Sequence, residues 1–143
     1  MLDLNNHLHR RVGLIASRKI DLVLDVGANT GQFGKSLRQI GYRGRIVSFE
    51  PMKAPFAALQ RSASADPLWA CHNIALGDVD ETAVINVSAN SHSSSLLPVN
   101  PRSLQIEPSI AYVGQEEIGI RRLDGLFGEI VSPNNAVYRR YLL

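Results

Sequence analysis

The sequence predicts an α/β fold in which strands and helices alternate and the strands form a parallel sheet. Two runs rich in β-branched and aliphatic residues, at 20–26 and 45–50, have the composition of buried strands. Each run is followed by apolar residues at helical spacing, and the first run ends at a glycine turn. Because strand–helix–strand units cross over with one hand, the two strands are expected to be parallel neighbours. The 143 residues, 45% hydrophobic and 20% charged, fit a single packed domain.

The first element is a helix within residues 1–19. Its apolar positions lie three or four residues apart, which is the spacing of an amphipathic helix. These positions are Leu4, Leu8, Val12 and Ile15. The helix is expected to pack against the sheet through this apolar face.

The strand at 20–26 leads through the glycine turn into a second helix. Asn29 or Thr30 can cap the start of this helix, and Gly41 is placed to end it. The helix has one apolar face, formed by Phe33, Leu37 and Ile40. Together with the strand at 45–50, these elements form the first strand–helix–strand unit.

A second unit follows the strand at 45–50. Pro51 leads into another helix, a third strand is predicted at 69–76, and a fourth at 82–88 alternates so that one face meets solvent. Residues 20–88 are therefore expected to hold a βαβαβ core, with the fourth strand added as part of a hairpin.

The rest of the chain has weaker signals. Residues 89–117 are rich in Ser, Pro and Asn and are expected to form a long loop, which favours a functional segment over a plain connection. Within 118–143, a strand is expected from Ile118 and a short amphipathic helix from Leu123, and Ala136 opens a further strand.

Composition excludes several classes of function. The net charge of +2 is too small to predict a nucleic-acid partner. The single cysteine, Cys71, excludes an intramolecular disulfide, and four histidines without ligand spacing predict no metal site. The N-terminus lacks a secretory signal, and no apolar run approaches the roughly 18 residues of a membrane span. A cytoplasmic protein is therefore expected.

Asp25, two residues before the glycine turn, discriminates between nucleotide cofactors. A dinucleotide pyrophosphate is anionic and docks at the helix that follows such a turn, so a carboxylate there would repel it. S-adenosyl-L-methionine instead brings an ammonium and a sulfonium group. Asp25 therefore favours S-adenosyl-L-methionine as the cofactor, bound directly or through water.

The spacing of the turn agrees with this interpretation. Gly27 and Gly31 are separated as G-x-x-x-G, which departs from the dinucleotide fingerprint, and Asn29 tolerates a left-handed backbone. Glu50 ends the second strand 23 residues after Gly27, close to the roughly 20 expected of the acid that accepts the ribose hydroxyls. Asp25 and Glu50 should therefore meet the glycine turn at one strand-end site.

Three motifs follow one another along the chain. Residues 24–33 read LDVGANTGQF, residues 48–51 read SFEP and residues 73–78 read NIALGD. In this order they resemble the FkbM family of methyltransferases, and IRRLD at 120–124 resembles the segment that leads to that family's fourth core strand. The resemblance covers about residues 20–138.

The resemblance implies a partial Rossmann-type (doubly wound) methyltransferase sheet, with the 3-2-1 side of the strand order and an extra hairpin strand. It implies O-methylation of a small hydroxylated substrate, such as a sugar, glycolipid or polyketide-like compound, with S-adenosyl-L-methionine as donor. The implied cofactor-binding residues are Asp25, Gly27, Ala28, Asn29 and Gly31 at the methionine end, Glu50 at the ribose with Pro51 beside it, and Asn73 and Ala75 near the adenine.

No catalytic base can be named from the sequence. His92 lies in the long loop, where a lone histidine is more often solvated. Cys71 and His72 are interpreted as core or edge residues, and Trp69 and Tyr112 as packing residues.

The C-terminus departs from the family pattern. Family members continue into a strand reading roughly Leu-Lys-Ile-Asp, whereas here Tyr138 is followed by RRYLL at 139–143. The chain therefore resembles a truncated member, whose first strand would expose an apolar edge that invites self-association. One alternative is an inactive remnant that at most binds cofactor or another chain. Another, a small nicotinamide dehydrogenase, is disfavoured by Asp25.

Overall fold

A computed structural model describes residues 7–88, 112–131 and 141–142 of the chain. Those residues contain four helices and seven strands, and the strands form two sheets. The fold is therefore mixed α/β, as predicted. In chain order the elements are α1 (His7–Arg18), β1 (Leu22–Val26), α2 (Gln32–Gln39), β2 (Arg45–Phe49), α3 (Lys53–Ala63), β3 (Trp69–His72), β4 (Ala75–Leu76), β5 (Glu81–Ser88), β6 (Tyr112–Arg121), α4 (Leu123–Val131) and β7 (Tyr141–Leu142).

The larger sheet has the order β3-β2-β1-β7 and is parallel throughout. β1 and β2 pair along their whole length, with Val23 opposite Ile46 and Asp25 opposite Ser48. β3 continues the row formed by Asp25 and Ser48, because Cys71 lies opposite Ser48. The predicted parallel arrangement of the first three strands is confirmed.

One face of this sheet is covered by α1, α2 and α3. The helices contribute Ile15, Leu37 and Leu59 to a core that also contains Val23 and Trp69. Successive residues of a strand point to opposite faces, so β1 supplies only alternate residues to this core. Each helix that the sequence predicts before the third strand therefore packs on the same side.

The opposite face is covered by α4. Leu126 and Ile130 pack there with Leu22, Leu24 and Phe49, and each of the five is at most 4% exposed. Burial of one such side chain contributes roughly 1.5–3 kcal/mol. α4 is therefore an integral part of the fold, and the sheet has helices on both faces.

α1 corresponds to the predicted N-terminal helix, and the described part of it begins at His7. Ile15, from its predicted apolar face, is 4% exposed and joins the core. Arg18 lies in the last turn, where a cation interacts favourably with the helix dipole. Among the helices described, none combines the length and the apolar character that a membrane crossing requires.

The start of α2 differs from the prediction. Its N-cap is Gly31 and not Asn29 or Thr30, and no side chain caps it. Asn29 is itself in the left-handed region, at φ +52°, and donates its N–H to the carboxylate of Glu50. Because this turn is held in a non-helical conformation, the helix begins later than the sequence suggests.

The end of α2 agrees with the prediction. Gly41 has φ +96°, and its N–H donates to the carbonyl of Arg38 at 3.1 Å. The next N–H, that of Tyr42, donates to the carbonyl of Leu37 at 3.0 Å. These two bonds form a Schellman motif, in which glycine at the left-handed position ends the helix.

The predicted strand at 69–76 is instead two strands, β3 and β4, with a break at Asn73 and Ile74. Asn73 interrupts it, because its side-chain amide donates to the carbonyls of Glu50 and Pro51, each at 2.9 Å. After this break the chain leaves the parallel sheet, and β4 pairs with β6 in the smaller sheet.

The smaller sheet has the order β4-β6-β5. β5 confirms the predicted fourth strand, and it pairs antiparallel with β6 along eight residues. It does not extend the parallel sheet. The parallel part of the sheet within residues 20–88 therefore ends at His72, since the chain beyond Asn73 has partners of its own.

The loop predicted over 89–117 is wrong for residues 112–117. These residues belong to β6, whose pairing with β5 begins at Tyr112, opposite Ser88. The strand was not predicted because these residues are mostly polar. A polar strand has no hydrophobic pattern and is identified by its pairing with a neighbouring strand. Residues 89–111 lie outside the described part of the chain.

The prediction that β1 has an exposed apolar edge is wrong for its first two residues, Leu22 and Val23. β7 lies parallel to the first half of β1, with Tyr141 opposite Leu22. Leu22, Val23 and Leu24 are each 2% exposed or less, because β7 and the helices on both faces cover them. α4 corresponds to the predicted C-terminal helix, whereas the strand predicted from Ala136 lies outside the described residues.

Candidate functional site

The turn between β1 and α2 has three residues in the left-handed region. Gly27, Asn29 and Gly31 have φ values of +72°, +52° and +93°. The first two N–H groups of the turn, those of Gly27 and Ala28, both donate to the carbonyl of Phe49, at 3.0 and 2.9 Å. The turn is thereby fastened to the end of β2. Glycine adopts such angles freely, and asparagine tolerates them better than most residues.

Glu50 joins the turns that follow β1 and β2. Its side chain is buried, its Oε2 accepts the N–H of Asn29 at 2.8 Å, and its Oε1 accepts the N–H of Met52 at 3.0 Å. An ionised carboxylate has about four acceptor positions, so each oxygen keeps capacity for a further hydrogen bond. The structure thus brings Glu50 to the glycine turn, as the sequence predicts.

Asp25 lies at the same end of the sheet and is 8% exposed. Its Oδ2 accepts a hydrogen bond from the Ser48 hydroxyl at 3.1 Å, and that hydroxyl accepts the indole N–H of Trp69 at 2.9 Å. Burial raises the pKa of Asp25, the Ser48 hydrogen bond lowers it, the charge of Glu50 raises it, and the net change is upward. A carboxylate in this position gains strongly from a cation beside it.

Asp25 and Glu50 have no cationic partner within residues 7–88, 112–131 and 141–142. The ion pairs in that part of the chain are Arg38–Asp66, Arg121–Asp80 and Arg122–Asp124. Two buried acidic side chains at one sheet edge create a negative potential, which attracts cations and repels phosphate. We call the region formed by Asp25, Gly27, Ala28, Asn29 and Glu50 the strand-end site.

The two residues predicted near an adenine ring differ in position. Asn73 lies beside the strand-end site, because its amide holds the carbonyls of Glu50 and Pro51. It therefore ties the end of β3 to the turn after β2. Ala75 lies in β4 of the smaller sheet, where it pairs with Ile120.

The two glycines of the turn serve different purposes. A Cβ on Gly27 would meet no atom within 4 Å, so space is open beside it. A Cβ on Gly31 would lie 3.1 Å from Leu59 Cδ1 and 3.4 Å from the Trp69 ring. The absence of a side chain at Gly31 therefore lets Leu59 of α3 and Trp69 pack closely against the turn.

Sequence reasoning missed Glu116, which reaches the same region from β6. Its Oε1 accepts the N–H of Lys53 at 2.7 Å, at the start of α3. The N-cap of α3 is Met52, which has no side-chain oxygen to cap the helix. Glu116 therefore caps α3 from the smaller sheet. Glu50 accepts the N–H of Met52, and Glu116 accepts the N–H of the next residue. No local pattern in β6 signals this contact.

Ser48 and Trp69 were also missed as site residues. Trp69 is 7% exposed and lies in the core, which agrees with its interpretation as a packing residue. The available signal was positional: Asp25 and Ser48 are polar residues at the penultimate position of consecutive buried strands. Parallel pairing in register places two such residues side by side.

Cys71 and His72 lie at the end of β3. Burial, with the charge of Asp25, raises the pKa of Cys71 to about 11, so its thiol is protonated and a poor nucleophile at neutral pH. The His72 ring stacks on Phe49 at 5.4 Å between centroids. Burial lowers the pKa of His72 against the opposing charge of Glu129, which favours the neutral ring. His92 lies outside the described residues, and the part of the chain described contains no His, Cys, Asp or Glu cluster suited to a metal.

A separate cavity of about 260 Å³ lies at the opposite end of the sheet. It is lined by residues before β1 and before β2, including Lys19, Ile20, Tyr42 and Arg43. In parallel α/β sheets, ligands bind at the carboxyl ends of strands. The geometry therefore favours the strand-end site over this cavity.

No protein-family model matches this chain, and no curated protein matches it. The strand-end site is therefore the feature from which a function can be inferred. That site presents two buried acceptor side chains that form no ion pair with a described residue, and a turn with open space at Gly27. Chemically, such a site suits a ligand with a positive charge and adjacent hydroxyl groups.

Proposed function

We propose that this chain is an S-adenosyl-L-methionine-dependent methyltransferase of the FkbM type. The proposed acceptor is a hydroxyl of a small molecule such as a sugar, glycolipid or polyketide-like compound. One observation carries the proposal: Asp25 and Glu50 are buried at the same glycine turn and form no ion pair with a described residue. The cofactor has two positive centres and a ribose diol, which are the groups that two carboxylates recognise.

Glu50 is assigned to the ribose hydroxyls. Its two oxygens already hold the amides of Asn29 and Met52, so the carboxylate is fixed in position before a ligand arrives. A fixed acceptor loses little conformational entropy on binding, which favours affinity. Asn73 supports the same turn through the Glu50 and Pro51 carbonyls.

Asp25 is assigned to the ammonium group of the methionine moiety. Because Asp25 is only 8% exposed, the contact is made through a narrow approach or through a bound water. The open space beside Gly27 lies on the same turn and leaves room for the amino-acid end of the ligand.

When bound, the cofactor would supply an electrophilic methyl group. Transfer to a hydroxyl oxygen is an in-line displacement, for which positioning provides much of the acceleration. The described residues contribute a rigid frame: the turn is tied to Phe49, and Glu50 ties it to the next turn. We assign no general base.

The site argues against a dinucleotide. A pyrophosphate at the start of α2 would lie close to Asp25, and this buried carboxylate would repel it. We also propose a cytoplasmic location, because the one cysteine forms no intramolecular disulfide and a reducing compartment suits such a chain.

Methyl transfer from labelled cofactor to a panel of hydroxylated acceptors tests the proposal. We expect transfer to at least one sugar-like or polyketide-like acceptor, and a rate at least about tenfold lower for Asp25→Asn, which removes the charge but keeps the shape. Glu117→Gln is the matched control, because Glu117 is exposed on β6. Transfer that is unchanged in Asp25→Asn would overturn the assigned role, and cofactor binding without any transfer would overturn the enzymatic function.

A further inference from the structure

A line of three buried polar groups crosses the parallel sheet below the glycine turn. The Trp69 indole N–H donates to Ser48 Oγ at 2.9 Å, and the Ser48 hydroxyl donates to Asp25 Oδ2 at 3.1 Å. Asp25 and Ser48 are direct partners in the β1–β2 register. Cys71 of β3 is the register partner of Ser48, and Trp69 lies two residues before Cys71. The Trp69 side chain therefore lies on the same face of the sheet as that of Ser48.

The chemistry of the three groups fixes the direction of the line. An indole N–H can only donate, so Ser48 Oγ is the acceptor of that bond. The single hydroxyl proton of Ser48 is then directed to the carboxylate of Asp25. Ser48 is 0% exposed, so solvent does not compete for either bond.

Trp69 is itself held in place by its neighbours. A Cβ on Gly34 would come within 2.8 Å of three atoms of the indole, so the ring occupies the space that a larger residue would fill. Leu59 belongs to the same core and packs from α3. The indole N–H therefore has one position, and it points to Ser48.

We propose that Ser48 and Trp69 are positioning residues that keep the Asp25 carboxylate ionised and oriented toward the ammonium group of the cofactor. This inference rests on the proposed function, and neither residue is required to touch the ligand. Burial favours the neutral form of a carboxyl group, most of all when no ligand cation lies beside it. The hydrogen bonds of this line oppose that effect.

The surroundings of Asp25 support this role. Burial and the charge of Glu50 both raise the pKa of Asp25, whereas the hydrogen bond from Ser48 lowers it. Cys71, the other titratable group beside Asp25, has its pKa raised to about 11 and stays neutral in the relevant range. Ser48 is therefore the interaction among these that favours the charged carboxylate.

The test measures the titration of the Asp25 carboxyl carbon by NMR without cofactor, and then cofactor affinity as a function of pH. Ser48→Ala removes the bond to the charged form, so the Asp25 midpoint is expected to rise and the Kd for S-adenosyl-L-methionine to increase about tenfold at neutral pH. Trp69→Phe removes the indole N–H together with the five-membered part of the ring, and it should shift the Asp25 midpoint in the same direction with a smaller effect. Cys71→Ala is the matched control in the same row and should leave both measurements unchanged.

Ser48→Thr keeps the hydroxyl and should restore the Asp25 midpoint even if its extra methyl group lowers the melting temperature. An unchanged Asp25 midpoint in both Ser48→Ala and Trp69→Phe would overturn the inference. The inference would also fail if these variants had a lower melting temperature but the same pH profile of cofactor binding as the unmodified protein. Absence of cofactor binding by the unmodified protein would overturn the proposed function instead. The titration without cofactor would still decide whether the line holds Asp25 ionised.

Discussion

The Glu50 carboxylate and the backbone N–H of Asn29 are joined by a hydrogen bond of 2.8 Å, although 21 residues separate them along the chain. The other oxygen of the same carboxylate accepts the N–H of Met52 at 3.0 Å. One side chain therefore holds the turn after β1 against the turn after β2. The stability of the fold and the geometry of the strand-end site depend on the same group.

Glu50→Gln is expected to lower the free energy of unfolding by about 1–3 kcal/mol. The amide has only one acceptor oxygen, so one of the two backbone N–H groups loses its charge-assisted partner. Urea unfolding of both proteins measures the difference. Glu117→Gln, at an exposed position of β6, should change stability by less than about 0.5 kcal/mol. Equal stability of Glu50→Gln and the unmodified protein would contradict the bridging role.

Gly34→Ala is expected to destabilise the protein by about 1–3 kcal/mol, because the new Cβ would come within 2.8 Å of three atoms of the Trp69 indole. The cost should exceed the roughly 0.5–1 kcal/mol that alanine gains over glycine inside a helix. Gly128→Ala in α4 is the matched control: nothing lies within 4 Å of its Cβ, so it should stabilise. Thermal unfolding compares the two variants. A stabilising Gly34→Ala would show that Trp69 can pack elsewhere.

Glu116→Ala is expected to release the N–H of Lys53, which the carboxylate accepts at 2.7 Å. Loss of a hydrogen bond to a charged group should speed amide exchange at Lys53 by about tenfold. Native-state hydrogen exchange monitored by NMR measures this. Glu117→Ala, from the next position of the same strand, is the control and should leave the rate unchanged. The same rate in both variants would contradict the cap from β6.

The ion pair between Arg38 Nε and Asp66 Oδ2, at 2.6 Å, should give the protein an acid-sensitive component of stability. Burial raises the pKa of Asp66, but hydrogen bonds from Arg38 and the Leu68 N–H, with the charges of Arg38 and Arg43, lower it below 3.8. A lowered native pKa stabilises the fold above the unfolded pKa, and this contribution is lost as the pH falls through the native value.

Asp66→Asn should therefore be less stable than the unmodified protein near neutral pH. The difference should shrink as the pH falls below about 4. In that range the Asp66 carboxyl is increasingly protonated, and it then carries no charge, like the asparagine of the variant. Urea unfolding across this pH range measures the difference. A difference that stays constant with pH would mean that the ionised carboxylate is not what stabilises this contact.

The sequence was sufficient to predict the features that depend on local chemistry. Gly41 is placed to end α2, and the structure has a Schellman motif there. Glu50 was expected at the glycine turn because it ends a buried strand, and parallel strands bring their carboxyl ends to one edge. Both inferences need only the strand positions and the conformational freedom of glycine.

Features that depend on distant partners escaped prediction. The strand at 69–76 breaks because Asn73 donates to carbonyls of another strand, and β7 is a strand only because β1 lies beside it. Ser48 became part of the site through the register of β1 and β2. Glu116 reaches α3 across 63 residues of chain. No local pattern in the sequence encodes such contacts.

Isothermal titration of the unmodified protein with S-adenosyl-L-methionine and, separately, with NAD tests the central claim most directly. The claim is that Glu50 binds the ribose and that Asp25 makes the strand-end site selective for a positively charged nucleoside cofactor. We expect measurable binding of S-adenosyl-L-methionine and at least about tenfold weaker binding of NAD, because the pyrophosphate would face the buried Asp25 carboxylate. Tighter binding of NAD, or no binding of S-adenosyl-L-methionine by the folded protein, would contradict it.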